Sequence, residues 1–81
     1  MKTSVDISYY PLDKKFKTPI KNFISRIKAY PELEIRTNTM STQIFGEYKD
    51  VMNALTNEIE KSFDFPHSVF VIKIINADLE K

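Results

Sequence analysis

The stretch that decides the fold is Asn38-Thr39-Met40-Ser41-Thr42-Gln43-Ile44-Phe45-Gly46-Glu47-Tyr48-Lys49-Asp50-Val51-Met52. One strand ends in its first residues, a tight reversal follows, and a second strand runs up to the start of a helix. Only a short hairpin fits between two strands that are this close in sequence. We expect Ile44 to be the inward anchor of the second strand, over residues 41–45, and Gly46, the only glycine, to break that strand.

Upstream, the sequence predicts a strand, a helix and another strand. Residues 4–10 alternate between apolar and polar side chains, as a strand with one buried face does, and Pro11 ends the run because it cannot donate a ladder hydrogen bond. Thr18 as N-cap and Pro19 as the first helical residue predict a helix that ends near residue 29 or 30. Residues 33–40 alternate again and predict a less apolar strand, at an edge of the sheet. The apolar stripe of the helix is Ile20, Phe23, Ile24, Ile27 and Tyr30, while Lys21, Asn22, Arg26 and Lys28 are expected to face away.

Downstream of Gly46, the sequence predicts a second helix, a last strand and a tail. Glu58 and Glu60 are two positions apart, so they diverge on the helix and are predicted surface charges. Residues 69–75 are an almost continuous apolar run, which predicts a central or doubly covered strand. Residues 76–81 are a predicted polar tail. The apolar stripe of this helix is Tyr48, Val51, Met52, Leu55, Ile59 and Phe63.

The resulting element order, β-α-β-β-α-β, predicts an α+β ferredoxin-like sandwich. With right-handed crossovers, each β-α-β half leaves room for one strand between its two parallel strands. The halves interlock into a four-stranded antiparallel sheet of order 4-1-3-2 with both helices on one face. The 81 residues leave no room for a second hydrophobic core, so we expect a single domain over residues 1–81.

The composition argues against several classes of function. The formal net charge of +1 lacks the basic excess of a nucleic-acid-binding protein, and the absence of cysteine removes thiolate metal sites and cysteine nucleophiles. His67, the only histidine, has no second imidazole to share a metal with and is expected to be solvated or to cap an element. We find no nucleophile–base pair, so we expect no enzyme, no catalytic residue and no cofactor. No apolar stretch approaches the ~20 residues that span a membrane, and we expect a soluble, cytoplasmic protein.

The sheet face opposite the helices combines aromatic, aliphatic and hydrogen-bonding side chains. Such a face is too apolar for an ordinary solvated surface, so we expect it to be covered. The cover is either a second copy of the chain, in which case the face is only an assembly interface, or a ligand held between copies. The residues expected on this open face are Asp6, Ser8, Tyr10, Arg36, Asn38, Gln43, Phe45, Val69, Val71 and Lys73.

Three segments carry a resemblance to a known family. They are Val5-Asp6-Ile7-Ser8-Tyr9-Tyr10-Pro11-Leu12, the turn Thr39-Met40-Ser41-Thr42, and residues 44–52 quoted above. In this order they resemble the thiamine-binding protein family, small ferredoxin-like proteins long called a domain of unknown function, and the likeness covers nearly the whole chain. The resemblance implies a non-enzymatic protein that binds thiamine or its hydroxymethylpyrimidine moiety and assembles through its sheets into dimers or tetramers. Where the family usually has Met-Gly-Thr, this chain has Ser41, which reaches positive φ less readily than glycine.

A thiamine site has definite chemical needs. The cationic thiazolium favours a carboxylate or an aromatic face, and the aminopyrimidine favours a flat apolar slot with polar groups at its edge. We expect Asp6 to supply the charge and Tyr10 and Phe45 the stacking surfaces; alternatively, Lys73 neutralises Asp6 as a cross-strand pair. Met40 belongs to the same turn as the expected edge contacts, which come from Ser8, Asn38, Ser41, Thr42 and Gln43.

Four lysines surround the loop between the first strand and the first helix: Lys14, Lys15, Lys17 and Lys21. They could receive a phosphate, and thiamine phosphates would then be plausible ligands. The alternative is that they form an ordinary solvated surface.

Overall fold

The computed structural model describes residues 1–80, which form four strands and two helices. In chain order these are β1 (Lys2–Pro11), α1 (Lys17–Lys28), β2 (Glu34–Thr37), β3 (Thr42–Glu47), α2 (Tyr48–Ser62) and β4 (Ser68–Ile75). The sheet order is β2-β3-β1-β4, and every neighbouring pair is antiparallel. This is the predicted ferredoxin-like α+β arrangement, with β2 at an edge as predicted.

The core lies between the helices and one face of the sheet. The alternation of β1 places Val5, Ile7 and Tyr9 inward, and Ile44 of β3 is completely buried beside them. The ring of Tyr9 stacks on Phe70 of β4, with a centroid separation of 4.3 Å. The whole buried apolar cluster consists of Val5, Ile7, Tyr9, Phe23, Ile27, Leu33, Ile44, Val51, Ala54 and Leu55.

The start of α1 differs from the prediction. The helix begins at Lys17, its N-cap is Phe16 without a side-chain cap, and Thr18 therefore is not the N-cap. Pro19 falls inside the first turn, where a backbone N–H has no intrahelical partner to lose. The predicted end of the helix is confirmed, since it stops at Lys28.

Gly46 does not break β3, contrary to the prediction. The strand continues through it to Glu47, and the glycine does not have a positive φ. A Cβ atom at Gly46 would lie 2.8 Å from Cδ2 of Leu33, a side chain that is itself buried. The residue is therefore explained by the close approach of Leu33 rather than by a turn.

The inner face of α2 is rotated from the predicted stripe. Tyr48 and Phe63 are 41% and 58% exposed, whereas Ala54 and Glu58 are buried. Glu58 was predicted to be a surface charge and Arg26 to face away from the core, and both predictions are wrong. The two side chains meet between the helices, with Arg26 Nε 2.7 Å from Glu58 Oε1.

Strand β4 is an edge strand, as the predicted order 4-1-3-2 requires, and not the central or doubly covered strand that its apolar run predicts. Val71 on the open face and Ile74 on the opposite face are each about half exposed, at 52% and 50%. An apolar run predicts burial, but the topology leaves β4 with only one neighbouring strand. An apolar edge of this kind is a surface that proteins usually cover.

Residues 76–80, here called the C-terminal segment, fold back over one end of the open face. The hydroxyl of Ser4 donates to the carbonyl of Ala77 at 2.7 Å and accepts from the N–H of Leu79 at 2.9 Å. Arg36 of β2 lies 3.8 Å from the carboxylate of Glu80. The predicted polar tail is thus packed on the sheet as far as Glu80; its last residue lies outside the described residues. No helix in the described part of the chain has the length and apolar character to cross a membrane.

Candidate functional site

The strand register brings the polar residues of the open face into one row. Arg36, Gln43, Asp6 and Lys73 lie side by side across all four strands, in the order β2-β3-β1-β4. Asp6 and Lys73 are directly opposite each other, but no ion pair within 4 Å joins them in residues 1–80. The predicted cross-strand charge pair is therefore absent. Instead, Asp6 Oδ1 accepts a 2.5 Å hydrogen bond from the hydroxyl of Ser41.

A cleft of about 380 Å³ lies where the end of β1, the hairpin turn between β2 and β3, and the start of α1 meet. We call it the end cleft. Its walls are mostly aromatic and aliphatic, most of its polar side chains come from the hairpin turn, and no charged residue lines it. The lining consists of residues 7–12 and 38–42 together with Phe16, Ile20, Phe23 and Ile24.

The hairpin turn that forms the polar side is held by its own side chains. Asn38 Oδ1 accepts hydrogen bonds from the backbone N–H groups of Met40, at 2.7 Å, and Ser41, at 2.9 Å. The hydroxyl of Ser8 donates to the carbonyl of Met40 at 3.3 Å. Ser41 does not have a positive φ, so serine fits this turn without the strain that the missing glycine suggested.

Two polar groups of this turn keep hydrogen-bonding capacity for a ligand. Because the two backbone N–H groups fix Oδ1 of Asn38 towards the turn, its Nδ2 amide is the outer group, and it donates to no atom of residues 1–80. The hydroxyl of Ser41 donates its hydrogen bond to Asp6, which leaves the lone pairs of the hydroxyl oxygen free to accept. The turn therefore offers one donor and one acceptor.

The nine predicted site residues divide between two concave surfaces. Ser8, Tyr10, Asn38, Met40, Ser41 and Thr42 all line the end cleft. Asp6, Gln43 and Phe45 line a separate hollow of about 330 Å³ on the open face, together with Lys73 and Leu79. The hydrogen bond between Ser41 and Asp6 is the link between the two sets.

Phe45 is not the open stacking surface that the sequence predicts. It is only 8% exposed although it faces away from the helices. The guanidinium carbon of Arg36 lies 5.6 Å from the centre of its ring, a distance at which a cation interacts with the aromatic face. Tyr10, by contrast, is 51% exposed at the end cleft and is available for stacking.

Sequence reasoning missed the apolar wall of the end cleft. Ile20, Phe23 and Ile24 were identified only as the core stripe of α1, yet they also line the cleft. Phe16 lies beside that stripe, a position that predicts core packing, yet it is 47% exposed and lines the cleft, so the sequence carried no signal for it. Leu12, of the Tyr-Pro-Leu segment, is 64% exposed at the same cleft.

A second polar arrangement lies between the helices and centres on Glu58, which is 2% exposed. Its carboxylate accepts hydrogen bonds from Arg26 Nε and the Tyr30 hydroxyl, both at 2.7 Å, and from Lys61 Nζ at 3.3 Å. Burial alone would raise the pKa of Glu58, but these hydrogen bonds outweigh it and hold the pKa below its ordinary value. The hydrogen bond between Tyr30 and Glu58, with a smaller contribution from burial, raises the pKa of Tyr30.

Nothing in residues 1–80 forms a candidate metal centre, since no three histidine or carboxylate side chains come together. His67 is exposed and has a φ of 60°. Its carbonyl accepts a hydrogen bond from the N–H of Leu12 at 3.2 Å, which ties the start of β4 to the end of β1. The contact that His67 makes here is therefore through its backbone carbonyl and not through its imidazole ring.

Several solved structures share this fold. A Thermotoga maritima protein provisionally assigned to thiamine biosynthesis or salvage superposes with a TM-score of 0.85 at 18% identity, over 95% of this chain and 85% of that one. A hypothetical protein from Methanocaldococcus jannascii gives 0.81 at 23% identity, over 99% and 84%. A domain of unknown function, DUF77, from Bacillus cereus gives 0.80 at 14% identity, over 98% and 79%.

These similarities establish the fold. No family model and no curated protein matches the sequence. Two of the structural relatives, the thiamine-related protein and the DUF77 domain, have names that agree with the family that the sequence resembles. At such low identity a shared fold does not carry a ligand with it, because function depends on the site.

Proposed function

We propose that this protein binds, without transforming, a flat nitrogen heterocycle in its end cleft, and that the ligand is thiamine or its hydroxymethylpyrimidine moiety. The observation that carries the proposal is the pairing of one unused donor, Asn38 Nδ2, with one unused acceptor, Ser41 Oγ, at the edge of a cleft with aromatic walls. An aminopyrimidine presents the complementary pair, a ring nitrogen that accepts and an exocyclic amine that donates.

The walls of the end cleft support a neutral, flat ligand. Tyr10 and Phe16, both about half exposed, supply aromatic surface, and the volume of about 380 Å³ lies within the ordinary range of small-molecule sites. A charged headgroup would find no counter-ion among the lining residues. The pyrimidine ring therefore suits the cleft better than a phosphate does.

The chemistry of the turn supports binding without reaction. Ser41 is the hydroxyl closest to an activating group, and that group is Asp6. A nucleophilic serine is activated by an adjacent general base such as histidine, and no histidine or lysine is hydrogen-bonded to Ser41 in residues 1–80. The Ser41–Asp6 pair is therefore suited to orienting a hydrogen bond.

The structural relatives support the choice of ligand class. The Thermotoga maritima protein is linked by name to thiamine biosynthesis or salvage, and its chain is nearly fully covered by this one. Together with the resemblance of the turn and strand motifs, this favours a thiamine-related ring over other flat heterocycles.

Calorimetric titration with thiamine and hydroxymethylpyrimidine tests the proposal. Asn38→Asp keeps an oxygen for the turn but removes the Nδ2 donor, so the fold should persist while affinity falls at least about tenfold. Asn53→Asp makes the same change on the exposed surface of α2 and should leave affinity unchanged. No binding by the unaltered protein, or equal affinities for both variants, would refute it.

The exposed apolar edge favours a second candidate, an oligomer in which the sheet serves only for assembly. Val69, Val71 and Ile75 of the open face are each between 42% and 52% exposed on β4. Burying them against a second copy would remove this surface from water. Under this candidate, Val71→Lys produces a smaller species in light scattering, and none of the pyrimidines raises the melting temperature.

A further inference from the structure

A second cleft, of about 450 Å³, shares Tyr9 but no other lining residue with the end cleft. We call it the helix cleft, because α1 and the end of α2 form its sides. Three cations line it: Lys15 from the loop before α1, Arg26 from α1 and Lys61 from α2. The proposed heterocycle function uses none of these residues.

The guanidinium of Arg26 is held in one orientation by groups behind it. Nε donates to the carboxylate of the buried Glu58 at 2.7 Å, and Nη2 donates to the hydroxyl of Ser62 at 2.8 Å and to the Glu58 carbonyl at 3.3 Å. Nη1 donates to no atom of residues 1–80, and the side chain remains 31% exposed. A planar fork that is fixed in advance loses little entropy when it binds an oxyanion.

The helix cleft keeps a net positive charge after the ion pairs that Glu58 forms with Arg26 and Lys61 are counted. Glu58 carries one negative charge and is shared by Arg26 and Lys61, at 2.7 and 3.3 Å. Lys15 forms no ion pair within the described part of the chain, and Asp64 is the one carboxylate among the lining residues, which do not include Glu58. Counting these five groups leaves one net positive charge.

One side of α1 adds hydrogen-bonding groups to these charges. Thr18, Asn22 and Arg26 are four residues apart, so they lie on one face of the helix, and all three line the cleft. A hydroxyl, an amide and a guanidinium in one row suit the several acceptor oxygens of a phosphate group.

We infer that the helix cleft is a second binding site, for a small molecule with a phosphate-type oxyanion, which Arg26 contacts through Nη1 and Lys15 through its ammonium group. Because the two clefts have only Tyr9 in common, and neither Arg26 nor Lys15 lines the end cleft, occupation of this site does not require a heterocycle in the end cleft. Of the four lysines that surround the first loop, Lys15 is the one that lines the helix cleft.

Titration of the ¹⁵N-labelled protein with inorganic phosphate tests the inference, against sodium chloride of equal ionic strength and against acetate. We expect saturable shifts of the amides of Lys15, Thr18, Asn22 and Lys61 with phosphate, weaker ones with acetate and none with chloride. Lys15→Gln should weaken the phosphate affinity about fivefold to tenfold. Lys14→Gln removes the same charge from the neighbouring position, which does not line the cleft, and should leave the affinity unchanged.

Arg26→Lys is the second variant, because it keeps the positive charge and loses the planar guanidinium. Its affinity for phosphate should fall at least about tenfold even if its stability is reduced. Equal losses in Lys14→Gln and Lys15→Gln, or shifts that chloride reproduces, would overturn the inference. Asn38→Asp separates it from the proposed function, since that variant should bind phosphate normally.

Discussion

Ser41 and Asp6 are 35 residues apart in the sequence, and the hydroxyl of Ser41 donates a 2.5 Å hydrogen bond to the carboxylate of Asp6. This contact ties the hairpin turn to the central strand β1. It also connects the end cleft, which Ser41 lines, with the hollow on the open face, which Asp6 lines. A glycine at position 41 could not make it, so the serine gives this chain a polar link of its own.

Removal of the Ser41 hydroxyl should weaken ligand binding. Ser41→Ala deletes the acceptor proposed for the exocyclic amine, and we expect hydroxymethylpyrimidine affinity to fall about tenfold in calorimetry. Ser25→Ala, on the exposed surface of α1, is the matched control and should bind normally. Normal binding by Ser41→Ala would exclude this hydroxyl from the site.

Neutralising Asp6 should discriminate between the two ligands. Asp6→Asn keeps an oxygen that accepts from Ser41 but removes the negative charge. We expect the affinity for cationic thiamine to fall several-fold, by about 1 kcal/mol for one charge at an exposed surface, while the affinity for neutral hydroxymethylpyrimidine hardly changes. Unchanged thiamine binding would show that the charge of Asp6, which lines the neighbouring hollow, does not act on a ligand in the end cleft.

The buried Glu58 should be important for stability. Glu58→Gln leaves Arg26 without its ionic partner between the helices, and we expect the free energy of unfolding to fall by about 2–3 kcal/mol in urea titrations. Glu60→Gln, two residues later on the exposed surface, should change it by less than about 0.5 kcal/mol. If both variants were equally stable, the charge of Glu58 and its ion pair with Arg26 would contribute nothing to the free energy of unfolding.

The same network should give stability a defined pH dependence. The pKa of Glu58 is lowered by folding, so its contribution is present above the ordinary carboxyl pKa and is lost as the pH falls through the lowered value. The pKa of Tyr30 is raised, so its contribution is present below the ordinary phenol pKa and is lost as the pH rises through the raised value. Urea midpoints measured across both ranges should therefore decline at each end, and Glu58→Gln should flatten both declines.

Thr3 offers a stabilising substitution. Its side chain is 2% exposed, and Oγ1 has no hydrogen-bond partner in residues 1–80. Thr3→Val keeps the shape and removes a buried polar group without a partner, so we expect thermal unfolding to show a gain of about 1 kcal/mol. A loss of stability would show that the hydroxyl has a partner, such as a bound water.

Most of the fold could be predicted because it depends on local patterns. The alternation of Val5, Ile7 and Tyr9 and the spacing of Phe23 and Ile27 follow from the periods of strands and helices. The apolar run of β4 misled the prediction because hydrophobicity does not reveal which strand is at an edge. Contacts between residues that are distant in the sequence were missed because local patterns do not reveal them. Arg26 and Glu58 are 32 residues apart, and Ser4 and Leu79 are 75 apart.

The candidate site was predictable only in part. Residues 38–42 could be predicted to lie together because a tight turn between two strands has few possible conformations and exposes polar groups. The pattern could not show that Asp6 and Phe45 lie in a different hollow from Tyr10, because alternation gives the face of a sheet but not the position along it. It also could not show that the C-terminal segment packs against Ser4.

The most direct test of the proposed function is an NMR titration of the ¹⁵N-labelled protein with hydroxymethylpyrimidine. We expect saturable shifts confined to the amides of the residues that line the end cleft, with the largest at Asn38 and Ser41. No shifts at all, or shifts that spread over β4 and leave the turn unaffected, would contradict the proposal that a flat heterocycle binds in the end cleft.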